Sequence, residues 1–181
     1  MLVRNPASIP RHAAPGLPPA RPPVRLRDGI AWLCWVVVVV AAGASVGVLF
    51  SPGAWYDALA KPTWHPPAWL FGPVWTLLYA LLGTGVWLVS REPGPAAEAA
   101  RPQAWLAFGV QAVLNLAWTP LFFGLRSPAS AFVDIVLLWG AVLWMTLAFG
   151  RVRPLAGTLQ VPLVAWVSFA LVLNGTLWLM N

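Results

Sequence analysis

The chain has 181 residues, of which 60% are hydrophobic and only 9% are charged. This composition excludes an ordinary soluble domain, in which about a quarter of the residues are charged. The formal net charge of +6 needs no nucleic-acid partner, because the sequence contains no nucleic-acid-binding motif and is largely apolar. We therefore expect an integral membrane protein whose main surroundings are the lipid bilayer.

Five long apolar stretches define the expected elements, and in chain order they cover roughly residues 29–50, 69–90, 104–125, 129–149 and 155–179. Each is long enough to cross a hydrocarbon core of about 30 Å at about 1.5 Å per residue. The runs are continuous and do not alternate, which favours helices over a β-barrel. The sequence thus predicts an all-α membrane protein, a bundle of five transmembrane helices over residues 29–181. Pro120 and Pro162 predict local kinks or a helix end.

Residues 1–28 form a separate segment that is rich in Pro and Arg and has no acidic residue before Asp28. Without helical periodicity, this segment is expected to be a disordered basic tail. The small residues Ala42-Gly43-Ala44 resemble a signal-peptide cleavage site. The apolar run continues to Phe50, however, so we favour a first span that is retained as a transmembrane helix.

Basic residues are unequally divided between the two ends of such a bundle. One end would hold Arg4, Arg11, Arg21, Arg25, Arg27, Arg91, Arg101, Arg151 and Arg153, and the other only Lys61 and Arg126. The positive-inside rule then predicts a multi-pass protein whose N-terminus is cytoplasmic. The preponderance of Arg over Lys hints at a bacterial plasma membrane.

The loop after the first span combines aromatic residues with prolines. It holds Trp55, Tyr56 and Trp64 together with prolines at 62, 66 and 67, which restrict the backbone. We expect a folded lid, and the alternative is that the rings rest on the membrane surface. The loop also holds His65, which is either a haem ligand or, as we favour, an imidazole bonded to backbone or water. No second ligand at metal spacing supports a metal site, and Cys34 is the sole cysteine.

The positions of the 13 tryptophans suggest a binding cavity. Most lie near the ends of the spans, where an indole belongs in the membrane interface. Trp75, Trp118, Trp139 and Trp166 instead lie well inside the spans. A buried indole N–H needs a partner, so several indoles at this depth indicate an aromatic-walled ligand cavity.

Helical spacing groups these residues with polar neighbours. Trp75 and Tyr79 are one turn apart on the second span. The shared face of the third span holds Gln111, Asn115 and Trp118, and one stripe of the fifth holds Pro162, Trp166, Ala170 and Asn174. For Asp134 we favour a structural role within the bundle. Asn115 is equally suited to helix packing and to ligand contact.

Together these residues resemble the tryptophan-rich sensory protein/translocator protein family (TspO/MBR, peripheral benzodiazepine receptor) over residues 30–181. The matching motifs are Trp55-Tyr56-Asp57, Lys61-Pro62, Pro66-Pro67, Phe71-Gly72-Pro73-Val74-Trp75, Tyr79, Asn115, Trp118-Thr119-Pro120, Phe122-Phe123-Gly124, Val161-Pro162, Trp166, Ala170 and Leu173-Asn174. The resemblance implies a five-helix bundle whose first loop covers a cavity. It also implies binding of porphyrins, including protoporphyrin IX and haem, and of isoquinoline or benzodiazepine ligands, with no required cofactor.

Site residues follow from this resemblance. It implies a cavity lined by Tyr56, Pro66, Trp75, Asn115, Trp166 and Ala170, to which the helical spacing adds Tyr79 and Trp118. Arg126 or Lys61 would meet porphyrin propionates at the cavity mouth. The chain departs from the family at Leu163 and Val172, where many members carry Tyr, and no Tyr or basic residue follows Arg153, so sterol binding is unsupported.

Three functions remain open at this point. The first is a receptor or sensor that binds porphyrin and influences its transport or signalling. The second is an enzyme that degrades porphyrin in light, with Trp75 and Trp166 as electron-donating catalytic residues, and the third is a membrane scaffold that engages another protein. Gly43 and Gly47 form a Gly-x-x-x-Gly pair suited to helix contact, and the sequence allows both a monomer and a homodimer.

Overall fold

The computed structural model describes residues 26–181 and, over that range, shows helices and connecting turns without a strand. The helices are α1 (Leu26–Leu49), α2 (Ala54–Ala58), α3 (Phe71–Arg91), α4 (Pro95–Thr119), α5 (Pro128–Val152), α6 (Pro154–Thr158) and α7 (Val161–Met180). Within the described part, 5 helical segments are long and apolar enough to cross a membrane. The predicted class, an all-α bundle of five transmembrane helices, is confirmed. The tail predicted for residues 1–28 lies almost entirely outside the described residues.

Prolines and charges explain where the helix boundaries differ from the apolar stretches. α4 begins at Pro95, well before the predicted start at 104, because Glu98 and Arg101 are helical although they are not apolar. At the other end of α4, Pro120 begins a single π-helical turn, Pro120–Gly124. Proline lacks the N–H that an α-helical bond there would need. The fifth span is divided into α6 and α7, so that Pro162 lies in the first turn of a helix.

The packing order of the helices leaves room for a cavity. α5 packs against both α4 and α7, whereas α1 packs chiefly against α3. The α1–α3 approach is close, since a Cβ added to Gly83 would lie 2.7 Å from Cα of Val36. Small residues at such contacts are the usual means by which transmembrane helices approach each other. The space between the α1–α3 pair and the α4–α5–α7 group holds the candidate site.

Candidate functional site: an aromatic cavity between the helices

A cavity of about 410 Å³ lies within the bundle and draws its lining from all five spans and from the loop after α1. None of its lining side chains is acidic or basic. Small-molecule sites in proteins are typically cavities of about 300–1,000 Å³ with mostly apolar walls and a few polar groups. The cavity therefore has the size and the chemistry of a site for an apolar or aromatic ligand.

Most of the residues predicted for the site line this cavity. They are Tyr56, Trp75, Tyr79, Asn115, Trp118, Trp166 and Ala170. Pro66 is not among the lining residues and lies half-buried in the loop, next to His65. Its proline ring stiffens the segment that covers the cavity rather than contributing to its wall.

The α3 wall is built from a stacked pair of rings. The rings of Trp75 and Tyr79 are 5.1 Å apart with an interplanar angle of 29°. The Tyr79 hydroxyl donates a 2.7 Å hydrogen bond to Oδ1 of Asn115 on α4. Asn115 thus serves helix packing and also lines the cavity, and its contact with a ligand stays a prediction.

Gly43 of α1 supports the same wall, since a Cβ on it would lie 2.0 Å from the Tyr79 ring. Gly43 and Gly47 both line the cavity. The Gly-x-x-x-Gly pair therefore faces the interior of this chain.

The α4 wall is tied to the start of α5 through α7. Nε1 of Trp118 donates a 3.0 Å hydrogen bond to Oδ1 of Asn174, and Nδ2 of Asn174 donates a 2.9 Å bond to the carbonyl of Pro128. The Trp118 ring also stacks on Phe122 of the π-helical turn, with ring centres 5.0 Å apart. Both the donor and the ring of Trp118 are fixed, so this indole forms a rigid part of the wall.

The α7 wall is formed around Trp166. Trp166 packs against Phe71 and Phe169, with ring centres 5.8 and 5.4 Å apart. Nε1 of Trp166 and Nδ2 of Asn115 are buried and have no hydrogen-bond partner among the described residues. A buried donor without a partner is uncommon in proteins and costs free energy. Both donors belong to residues that line the cavity.

Trp139 does not belong to the cavity, in contrast to the other three tryptophans inside the spans. It is 38% exposed on α5, and its Nε1 donates a 2.9 Å hydrogen bond to the Ser168 hydroxyl. Its depth in the span suggested a role in the cavity, but depth does not determine which way a helical residue faces. Asp134, on the same helix, is buried and is not a lining residue, and its Oδ2 has no hydrogen-bond partner among the described residues, so its structural role stays a prediction.

The loop of residues 50–67, here called the lid loop, is folded over one end of the cavity. Tyr56 is buried in it, and the Tyr56 hydroxyl lies 2.6 Å from Nε2 of His65. The Tyr56 ring also packs edge-on against Phe123 at 5.3 Å. Trp64 reaches Phe169 of α7, with ring centres 6.0 Å apart. The rings therefore pack on the bundle.

Polar contacts fix the backbone of the lid loop. Nζ of Lys61 donates hydrogen bonds to the carbonyls of Tyr56, Asp57 and Leu59, at 2.6, 3.0 and 3.2 Å, around the end of α2. The Asn181 side chain accepts a 2.9 Å bond from the amide of Ala60 and donates a 3.1 Å bond to its carbonyl. The loop is thus joined to the far end of α7.

Burial also affects the two groups of the Tyr56–His65 contact. It raises the pKa of Tyr56, with a smaller effect from the charge of Asp57. It lowers the pKa of His65, and the nearby charge of Lys61 acts in the same direction. Both shifts favour the neutral forms, which can share one hydrogen bond.

Several lining residues were not predicted. Phe71, Phe122 and Phe123 supply aromatic area, and α1 contributes Val40, Gly43, Ala44, Gly47 and Val48. The Phe residues carried a usable signal, since they flank predicted site residues in the motifs. α1 carried only the Gly43–Gly47 pair, which predicted helix contact and not a cavity wall.

The fold and the cavity define a small multi-pass helical membrane protein with an uncharged aromatic site. The TspO/MBR family model matches residues 35–179. The chain is similar to protein CrtK of Rhodobacter capsulatus, 43% identical over 80% of this chain and 89% of the relative. It is also similar to the human translocator protein, 44% identical over 75% and 82%. The tryptophan-rich protein TspO of Chlorobaculum tepidum is 44% identical over 72% and 82%. The chain belongs to the TspO/MBR family.

The departures from the family pattern lie outside the cavity wall. Leu163 is buried but is not a lining residue, and Val172 is 60% exposed on α7.

Proposed function

We propose that this protein is a membrane receptor or sensor that binds porphyrins, such as protoporphyrin IX and haem, and isoquinoline or benzodiazepine ligands. Binding would influence tetrapyrrole transport or signalling. The observation that supports the proposal most is the uncharged cavity walled by Trp75, Trp118 and Trp166. A flat aromatic ligand stacked on these rings gains about 0.5–1.5 kcal/mol per ring contact beyond the burial of its area.

Polar atoms beside the cavity suit such a ligand. Nε1 of Trp166 and Nδ2 of Asn115 are donors without a partner in the described part of the chain. A carbonyl oxygen or an unprotonated ring nitrogen of a ligand would accept from them, which removes the cost of leaving them unbonded. The family membership and the sensory and translocator names of the relatives support the same class of function.

The direct test is titration of the purified protein with protoporphyrin IX. Saturable quenching of tryptophan fluorescence and a shifted Soret band are expected. The affinity read from the Soret band should fall in Trp166→Phe and stay unchanged in the matched variant Trp139→Phe, because Trp139 lies outside the cavity. No saturable binding would contradict the proposal and favour the scaffold. Equal affinity in both variants would place the porphyrin elsewhere.

A second candidate is light-dependent porphyrin breakdown. The stacking of Trp75 on Tyr79 at 5.1 Å, together with the Tyr79–Asn115 hydrogen bond, places two oxidisable side chains in contact at the cavity wall. We expect the Soret band of the illuminated complex to bleach more slowly in a Trp75→Phe/Trp166→Phe variant. Equal bleaching, measured at equal porphyrin occupancy, would rule out catalysis by these residues.

The proposal includes an orientation. Arg91, Arg101, Arg151 and Arg153 lie at one end of the bundle, and the lid loop with Lys61 lies at the other. By the positive-inside rule the lid loop faces outward and the N-terminus is cytoplasmic, in a bacterial plasma membrane. Protease accessibility of an N-terminal tag in sealed, right-side-out vesicles tests this. Cleavage of the tag without permeabilising the vesicles would reverse the orientation.

A further inference from the structure

A second pocket adjoins the cavity at the lid loop. It measures about 490 Å³ and is lined by Ser51, Gly53, Ala54, Trp55, Phe123 and Arg126; we call it the Arg126 pocket. Phe123 lines both this pocket and the main cavity. Along the start of the lid loop, Phe50 and Pro52 line the cavity, whereas Ser51 and Gly53 line the Arg126 pocket. The main cavity and the Arg126 pocket are therefore separated by the Phe123 ring and by residues 50–53.

The two basic residues at this end of the bundle differ in their partners. Lys61 uses its ammonium group for three backbone carbonyls and lies 4.8 Å from the centre of the Tyr56 ring. The Arg126 side chain is exposed and makes no hydrogen bond or ion pair with any residue from 26 to 181. Since the main cavity carries no charge, Arg126 is the cation beside it that is free to bind an anion.

The backbone at Arg126 does not explain the choice of arginine. Its φ is 52°, in the left-handed region, where Gly or Asn costs less than a long side chain. A turn selected only for its shape would favour those residues. The guanidinium is thus more simply explained by what it can bind.

We propose that the Arg126 pocket binds a carboxylate of an amphipathic ligand whose aromatic part occupies the main cavity. The guanidinium presents paired N–H donors that match the two oxygens of a carboxylate. The Ser51 hydroxyl supplies a further donor, and Trp55 and Phe123 flank the arm that joins the carboxylate to the ring. This inference rests on the proposed function, and it adds the place that holds the acidic arm of the ligand: the Arg126 pocket.

The test compares a ligand with and without its acidic arms. Dissociation constants of protoporphyrin IX and of its dimethyl ester are measured in detergent for the unchanged protein, Arg126→Gln, Arg126→Lys and Arg151→Gln. Arg151 is a matched control, because it is exposed at the opposite end of the bundle and bonds Gln103 at 3.0 Å. Arg126→Gln should weaken the acid about three- to tenfold and leave the ester unchanged. Arg126→Lys should retain part of the affinity, and Arg151→Gln all of it.

The possible failures are distinguishable. An acid-to-ester affinity ratio that is the same in Arg126→Gln as in the unchanged protein overturns the carboxylate site, while normal ester binding leaves the proposed function intact. A protein that binds neither compound contradicts both. The same titration in nanodiscs separates a ligand carboxylate from a lipid phosphate. One result would assign the pocket to a lipid headgroup and overturn the inference. In that result the unchanged protein prefers the acid in phosphatidylcholine but not in phosphatidylglycerol, and the affinity of Arg126→Gln is the same in both lipids.

Discussion

The Tyr79 hydroxyl bonds Oδ1 of Asn115 at 2.7 Å and thereby joins α3 to α4 across the cavity. The Tyr79 ring stacks on Trp75 and also packs against Gly43. Three helices therefore determine where one ring of the wall lies. Because α1 packs chiefly on α3, the glycine that admits this ring links the position of α1 to the shape of the site.

Gly43→Ala is predicted to disturb this arrangement. The added methyl would lie 2.0 Å from the Tyr79 ring, so either the ring or α1 must move. Overpacking of this kind costs about 1–3 kcal/mol. We expect a lower thermal unfolding midpoint in detergent and weaker protoporphyrin binding.

Gly47→Ala is the matched control for Gly43→Ala. Gly47 lies one turn further along α1 and also lines the cavity, but no atom lies within 4 Å of its added Cβ. It should therefore preserve the unfolding midpoint. Equal effects of the two variants would show that α1 does not position Tyr79.

Ala170→Thr is predicted to weaken the binding of drug-like aromatic ligands. Ala170 lines the cavity one helical turn from Trp166, and the larger side chain would crowd the space beside the indole. A loss of about tenfold in affinity is expected, measured with an isoquinoline ligand by equilibrium binding. Val172→Thr, at a 60% exposed position of the same helix, should have no effect. Unchanged affinity in Ala170→Thr would place the ligand away from this part of α7.

Much of this site was predictable from the sequence, because residues one or two turns apart on a helix share a face. Trp166, Ala170 and Asn174 are such a stripe, and all three line the cavity. The sequence does not show how helices face one another. For that reason the sequence places Trp139 with the cavity tryptophans and indicates only helix contact for Gly43.

The sequence likewise locates the transmembrane spans but not all of the helix boundaries. Hydropathy located the spans, but the start of α4 at Pro95 lies in a stretch with charged residues that hydropathy does not count as part of a span. The break between α6 and α7 comes just before Pro162, where the sequence predicts a kink or a helix end. The close approach of α6 to α5 has no such signal: a Cβ on Gly157 would lie 2.8 Å from Cα of Gly150.

Asn181→Ala is predicted to loosen the lid loop. The Asn181 side chain makes two hydrogen bonds to the backbone of Ala60, at 2.9 and 3.1 Å. Their loss should raise the hydrogen-exchange rate of the Ala60 amide about three- to tenfold, with little change in α3. Asn181→Asp keeps an acceptor for the Ala60 amide, so its exchange rate should lie between that of the unchanged protein and that of Asn181→Ala. If exchange is unchanged in Asn181→Ala, the aromatic contacts and the hydrogen bonds of Lys61 hold the loop without Asn181.

The lid loop is also predicted to lose stability in acid. Burial lowers the pKa of His65 below its ordinary value of about 6.5, so the folded loop resists a proton that the detached loop accepts. Below pH about 6.5 the detached loop binds more protons, and the stability of the folded loop therefore falls as the pH falls. The loss is complete once the pH passes the lowered pKa of the folded form. Above pH about 6.5 the contribution of His65 is fully present and constant.

Hydrogen exchange of residues 54–65 measures this effect, after correction for the intrinsic pH dependence of exchange. Protection should decrease between pH 7.5 and 5.5, because protonated His65 no longer accepts a hydrogen bond from the Tyr56 hydroxyl, which lies 2.6 Å away. His65→Gln is the control, since its amide can still bond Tyr56 but does not titrate. Its protection should not change over this range. A decrease of the same size in His65→Gln would assign the acid effect to another group, and increased protection in acid would contradict the sign derived from the pKa shift.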